Sequence, residues 1–427
     1  MAKKPKFQTP TGMHDILPEE QRYFQKIFDI CQEMANFYNF QKIETPILEE
    51  AELFSKGIGL ATDIIGKQMF TLRTKGGDYL ALRPEQTAGI VRAYIEHGME
   101  NLPQPVKLWY FGPYFRYEHP QLGRFRQFWQ FGFEVLGEES SVVDAQIIQI
   151  FYNILIELKL KNLIVEVNSI GDSQCRPYYK KLLVNYFRSR EGALCPDCRR
   201  RLRENPLRIL DCKEEKCQPL KAQAPQILDH LCEICHQHFK EVLEFLDELE
   251  LPYHLNPYLV RGLDYYTKTV FEIMEESPEG KALGTLVAGG RYDTLVKILG
   301  GKETPAVGGA GGVERIIQLM KTKAIRFPKE KRAEVFLAQL GDLAKRKSLK
   351  LIEDFREAKI LVGESLGRDS LKAQLKMADR IGAKYTLILG QKEALEGTII
   401  IRDMATGRQE TIKIEKVIKE IEKKLKK

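Results

Sequence analysis

Residues 110–134 read YFGPYFRYEHPQLGRFRQFWQFGFE, setting Arg116, Glu118, Arg124 and Arg126 among aromatic side chains. Strand-like runs at 108–117 and 126–136 flank a polar turn holding Pro120, Gln121 and Gly123, which predicts a long hairpin. Charges are ordinary on the wet face of an antiparallel sheet. Charges interleaved with rings also suit a flat base and its phosphates. A second constellation favours that use: LVRGLDYYTKTVFE at 259–272, followed by AGGRYDTLV at 288–296. Further on, the glycines of TPAVGGAGGVERIIQLM permit close backbone approach and lead into a helix near Val313. Arg315 falls on its first turn, which points to a nucleotide nearby.

The cysteines form a separate group. Of 8, only Cys31 lies outside the segment 175–235. Cys195 and Cys198 make a C-x-x-C, Cys212 and Cys217 a looser pair, and Cys232 and Cys235 a second C-x-x-C beside His236 and His238. Each C-x-x-C can give two thiolates to one tetrahedral Zn²⁺, and two of them complete a structural site. Six cysteines are more than one site needs, and a reducing compartment also leaves cysteines as plain thiols.

The elements that must position these residues follow from the chain taken in order. At 427 residues, with 43% hydrophobic and 29% charged side chains, there is enough for two or three domains with sizeable cores. No apolar run is long enough to span a bilayer and no signal-like segment opens the chain, so a cytoplasmic protein is expected. The net charge of +7 permits nucleic-acid contact through patches without requiring it.

An amphipathic helix is expected after Pro18, with Tyr23, Ile27, Ile30, Met34 and Phe37 near helical spacing. A strand at 42–48 is interrupted by Pro46 and belongs at an edge or an interface. A hairpin turned at 75–78 leads to a helix opening near Pro84, with Glu85 and Thr87 in its first turn, where an acid ordinarily faces the helix dipole. A helix at 141–158 and a strand at 163–169 follow. From 173 to 252 charge rises and the period turns helical, marking an inserted module. Strand character resumes at 253–260. After a linker at 326–332, strands at 334–340, 358–362, 384–389 and 398–402 alternate with helices around Leu349 and Leu375. That alternation predicts a compact, mostly parallel α/β domain. The basic helix KVIKEIEKKLKK closes the chain.

Taken together, these segments resemble the histidyl-tRNA synthetases, of class IIa among the aminoacyl-tRNA synthetases, over nearly the whole chain. FQKIETPILEEAELF at 40–54 is similar to class motif 1, residues 110–134 to motif 2 and GGAGGVERI at 308–316 to motif 3. LVRGLDYYTKTVFE and AGGRYDTLV resemble the histidine-specific signatures, the former being much the more specific. The resemblance implies an α+β catalytic domain at 1–325, an antiparallel sheet flanked by helices and interrupted by the helical Cys-rich insertion 173–252. An α/β anticodon-binding domain would follow at 333–427, and a homodimer would be built on motif 1. It also implies that L-histidine is activated with ATP and Mg²⁺ to histidyl-adenylate and pyrophosphate, then passed to the 3′ end of its tRNA.

By the same resemblance, Arg116 and Arg261 are the catalytic pair, taking the α-phosphate and the carboxylate. Arg124 and Arg315 take the outer phosphates, Phe128 stacks on adenine and Glu118 lies near its amino group. Glu85 and Thr87, with Gln86 between them, hold the α-amino group of histidine. Glu134 and Tyr266 address the two imidazole nitrogens, and Gln130 and Tyr265 complete the pocket. His119 and Gln121 meet the tRNA acceptor end. Three positions depart from the family pattern: Gln86 stands where a small or apolar residue is usual, His119 where arginine is common and Trp129 where histidine is common. Two other readings are a histidine-binding regulatory paralogue of ATP phosphoribosyltransferase that charges no tRNA, and a zinc-containing nucleic-acid-binding protein built on the cysteines. Such paralogues lose the second arginine signature and the C-terminal domain, both present here. The zinc-protein reading leaves four arginines without a task.

Overall fold

The computed structural model describes residues 6–59, 62, 64–118, 123–276, 282–327 and 332–426. Two compact units divide between Phe327 and Pro328. The first begins with helix α1 (Pro18–Phe37), whose Pro18 starts the helix and whose Glu19 and Glu20 face the positive end of its dipole. Its buried stripe is Tyr23, Phe24, Ile27, Ile30, Cys31 and Ala35. Phe37, expected on that stripe, is instead 81% exposed.

Strands β1 (Gln41–Lys42) and β2 (Leu48–Glu50) come next, then α2 (Ala51–Ile58), β3 (Thr71–Arg73), β4 (Tyr79–Leu82) and α3 (Thr87–Glu96). The single strand expected at 42–48 is therefore split. Pro46 has no N–H to give a ladder, and the chain between is held otherwise: the Arg83 guanidinium donates to the Thr45 carbonyl at 2.8 Å. Helix α3 opens at Thr87, two residues later than the first turn that was to include Glu85.

The long hairpin is β5 (Val106–Phe115) and β6 (Gln127–Leu136). After it come α4 (Ser141–Glu157), β7 (Leu163–Ser169), the helices α5 (Arg176–Arg188), α6 (Pro196–Glu204), α7 (Gln218–Ala222) and α8 (Glu233–Glu248), then β8 (Tyr253–Leu255), β9 (Thr267–Glu276), β10 (Ala282–Arg291), α9 (Leu295–Ile298), β11 (Ala306–Gly312) and α10 (Val313–Thr322). Eight strands form one sheet in the order β1-β5-β6-β11-β10-β9-β7-β8, antiparallel except at its two outer pairings. β2, β4 and β3 make a small second sheet.

Strand periodicity sorts the hairpin onto two faces. Phe131 and Phe133 join Ile27, Ile147, Phe151, Ile154 and Ile316 in a core under α1, α4 and α10. Phe128, Gln130, Gly132 and Glu134 turn to the other face. One register row across five strands runs Tyr110, Gly132, Ala310, Ala288, Glu272. Its middle is made of small residues, and a Cβ on Gly132 would lie 2.2 Å from the Tyr110 ring. The row is thus a shallow floor between two polar side chains.

The second unit contains β12 (Val335–Gln339), α11 (Asp342–Glu357), β13 (Val362–Glu364), α12 (Leu371–Ile381), β14 (Tyr385–Leu389), α13 (Gln391–Glu396), β15 (Thr398–Asp403), β16 (Gln409–Lys413) and α14 (Val417–Leu425). The order is β13-β12-β14-β15-β16. Only the pairings of β12 with β13 and β14 are parallel; those on either side of β15 are antiparallel, so the expected mostly parallel sheet is a mixed one. Its core holds Val335, Leu337, Phe355, Leu387, Ile399 and Ile421.

Candidate active site

A cavity of about 330 Å³ lies over the floor row. Arg116, Arg124, Arg261 and Arg315 all line it, as do Glu85, Gln86, Thr87, Glu118, Phe128, Gln130, Tyr265 and Tyr266. His119 and Gln121 lie outside the described residues. The four cations come from the connection between β5 and β6, which holds Arg116 and Arg124, the loop before β9 and the first turn of α10.

They form two like-charged pairs. Burial first, and Arg261 among the neighbours, hold the Arg116 guanidinium below its ordinary value, whereas Glu272 and the two tyrosines beside it raise Arg261 against the effect of burial. Arg116 Nε donates to the Pro84 carbonyl at 2.9 Å and its guanidinium sits 5.2 Å from the Phe128 ring centroid. Arg261 is ion-paired to Glu272, whose other oxygen accepts the Thr285 hydroxyl at 2.6 Å. Arg315, lowered by burial and then by Arg124, donates to the Thr285 carbonyl at 2.6 Å. Arg124 lies 3.7 Å from Glu118. Guanidinium groups held side by side repel each other at a cost that a bound polyanion relieves.

Deeper in the cavity, Glu85 accepts the backbone N–H groups of Thr87 at 2.7 Å and Ala88 at 2.9 Å, which caps α3. Burial raises this carboxyl despite those two donors. The Tyr265 hydroxyl approaches it at 3.4 Å. The side chain of Gln86 is engaged elsewhere, donating to Thr45 at 3.0 Å and accepting from Tyr114 at 2.8 Å. Glu134 sits behind the wall, fully buried, with Thr87 donating to Oε1 at 2.9 Å and Tyr292 to Oε2 at 2.6 Å. Burial pushes its carboxyl up to about 8. Gln130 Oε1 is buried without a partner, an acceptor awaiting a donor.

Several residues at the site were not assigned a part from the sequence. Tyr110 and Glu272 close the two ends of the floor, and Glu314 lines the cavity while accepting the Trp129 N–H at 2.9 Å. Burial raises Glu314 to about 7. Glu272 and Glu314 lie inside the quoted signatures, so the signal was present. The second signature splits in function. Tyr292 reaches Glu134, whereas Arg291 is fully buried away from the cavity, with Nε 3.0 Å from Asp144 Oδ2 and Nη1 3.2 Å from Asp293.

The cysteines also separate. Cys195, Cys198, Cys212 and Cys217 form one group. Cys232 and Cys235 join Asp172 and Cys175 in another, so the two C-x-x-C pairs do not meet. His238 faces Asp144 at 3.3 Å and His236 is exposed, so neither histidine belongs to a cysteine group.

Comparison with known proteins adds an independent line. A family model described as histidyl-tRNA synthetase matches residues 12–171 and 202–316, and one described as an anticodon binding domain matches 334–424. The histidine–tRNA ligase of Dehalococcoides mccartyi is 44% identical over 422 residues, covering 98% of this chain and 100% of its own length. That of Desulfitobacterium hafniense is 45% identical over 402 residues, 94% of each chain. The crystal structure of apo S. aureus histidyl-tRNA synthetase superposes with a TM-score of 0.79 at 36% identity, covering 97% of this chain and 99% of that one. With a sheet, an arginine-lined cavity and full-length relatives in agreement, the chain belongs to the histidyl-tRNA synthetase family.

Proposed function

We propose that this cavity activates L-histidine with ATP and that the chain then transfers the histidine to the 3′ end of its tRNA, as a histidine–tRNA ligase. Adenylate formation brings a carboxylate against the α-phosphate of ATP, which arrives as its Mg²⁺ complex, while pyrophosphate departs. Both reactants are anions, so catalysis rests on alignment and on cations placed where charge builds. Arginine suits this role, being permanently charged and bidentate. The observation that carries the reading is the pairing of Arg116 with Arg261 and of Arg124 with Arg315 around one cavity. Arg116 and Arg261 take the α-phosphate and the carboxylate. Arg124 and Arg315 take the outer phosphates, with Phe128 under adenine and Glu118 at its amino group.

Glu85 and Thr87, beside Gln86, hold the ammonium of histidine. Gln130, Tyr265 and Tyr266 line the cavity where the imidazole would sit, and Glu134 addresses it from behind that wall; the ring, when neutral, offers one donor and one acceptor. A pocket whose polar groups go unpaired with any other side chain rejects it by roughly 10⁴ or more, so no editing step is needed. The arrangement extends to partners. The second unit supplies anticodon contact, while His119 and Gln121 meet the acceptor end. Ile47 and Leu48, 42% and 41% exposed beside the split strand, support a homodimer through that segment. The 8 cysteines are all free, which supports a reducing cytoplasmic setting.

Pyrophosphate exchange into ATP, run with each of the twenty amino acids, tests the reading. Exchange should require histidine and vanish in Arg261→Ala. Exchange driven by another amino acid, or histidine binding with no exchange, would overturn it.

A further inference from the structure

The cavity leaves seven cysteines unexplained. In the first group Cys195, Cys198, Cys212 and Cys217 are all buried, with their sulfurs within 4.8 Å of one another. Cys195 Sγ and Cys212 Sγ are 3.8 Å apart. Four thiolates about 2.3 Å from one Zn²⁺ stand at the corners of a tetrahedron whose edges are about 3.8 Å. A disulfide needs about 2.05 Å. Backbone N–H groups also aim at the sulfurs: that of Cys198 at Cys195 Sγ and that of Cys195 at Cys217 Sγ, both at 3.3 Å. Such donors orient sulfur ligands and favour the thiolate.

The second group sits where the insertion leaves the sheet and where it returns. Asp172 and Cys175 lie just after β7, and Cys232 and Cys235 open α8. Their ligand atoms again lie within 4.8 Å of one another. The Asp172 N–H donates to Cys175 Sγ at 3.3 Å. Gly171, at φ +62°, gives that sulfur room, since a Cβ there would lie 2.4 Å from it. A hard and three soft ligands in this number suit zinc.

We propose that the insertion is a two-zinc module, one ion held by Cys195, Cys198, Cys212 and Cys217 and the other by Asp172, Cys175, Cys232 and Cys235. Binding displaces the thiol protons and involves no redox change. Short helices and single turns without a sheet make a small scaffold of the sort that metals staple. Each site also steadies the loop that carries Arg261, Tyr265 and Tyr266. Asn205, in the excursion between Cys198 and Cys212, donates to Asp264 Oδ1 at 2.8 Å. Arg176, next to Cys175, donates to the Tyr266 carbonyl at 2.6 Å.

The full chain, purified without chelator and analysed by elemental mass spectrometry, should carry two zinc ions. Cys198→Ser and Cys235→Ser should each keep one, and Cys31→Ser should keep both. Less than stoichiometric zinc in the native chain, or a single ion, would overturn the proposal. If the serine variants do not fold, a mercurial thiol reagent applied to the native chain with a chromogenic zinc indicator decides: release of two ions as the thiols react supports it, and no release overturns it.

Discussion

Tyr292 and Thr87 donate to the two oxygens of Glu134 from different elements, at 2.6 and 2.9 Å. Burial outweighs both donors and lifts the carboxyl from 4.5 to about 8. Between those values the folded chain holds a proton that the unfolded chain has lost. The stability this group contributes is complete below 4.5 and declines as pH rises toward 8. Glu134→Gln is neutral throughout and should lack that decline. The melting temperature of the ligand-free variant should therefore fall less between pH 5 and 8.5 than that of the native chain; parallel curves would refute the assignment.

Removing one member of the outer cation pair separates ATP from histidine. Arg315→Met should raise the KM for ATP by about 10- to 100-fold in pyrophosphate exchange, the range for a charge-assisted contact of about 1.5–3 kcal/mol. The KM for histidine should change little. Because the substitution also relieves repulsion with Arg124, the ligand-free melting temperature should hold or rise.

Arg291 serves stability and not the reaction. In Arg291→Met, Asp293 would keep Lys268 at 3.2 Å, but the buried Asp144, its carboxyl held down to about 2 by Arg291 and His238 against the effect of burial, would be left with His238 alone. Breaking a buried pair in this way costs about 3–5 kcal/mol. Chemical denaturation should show that loss, and Asp144→Asn added to Arg291→Met should recover part of it.

The two units each bury their own core. A chain ending at Phe327 should keep histidine-dependent pyrophosphate exchange while tRNA charging falls by about two orders of magnitude, as expected when one of two linked contacts is lost. Equal loss of both activities would count against the division.

What the sequence revealed tracks how local the cause is. The β5–β6 hairpin, α4 and β7 were legible because period and turn residues act within a few positions. β16 escaped notice, since Gln409–Lys413 is a polar edge strand whose pairing with β15 decides its form. Glu272 could not be matched to Arg261 by spacing; ten residues separate them, and a turn into β9 brings them together. The cysteine grouping was hidden for the same reason. Cys175 belongs to none of the sequence pairs, and only the return of the chain at α8 sets it beside Cys232 and Cys235.

The middle of the large sheet is completed by β11, a strand from the end of its unit that slots between β6 and β10. On the ribosome, then, β6 emerges with one side paired to β5 and the other bare for the span of some 170 residues before its neighbour is made. Arg116 is synthesised long before Glu272, Ala288 and Ala310 complete the floor beneath it. The cost of this topology falls on nascent chains, which need shielding from one another until residue 312 has cleared the exit tunnel.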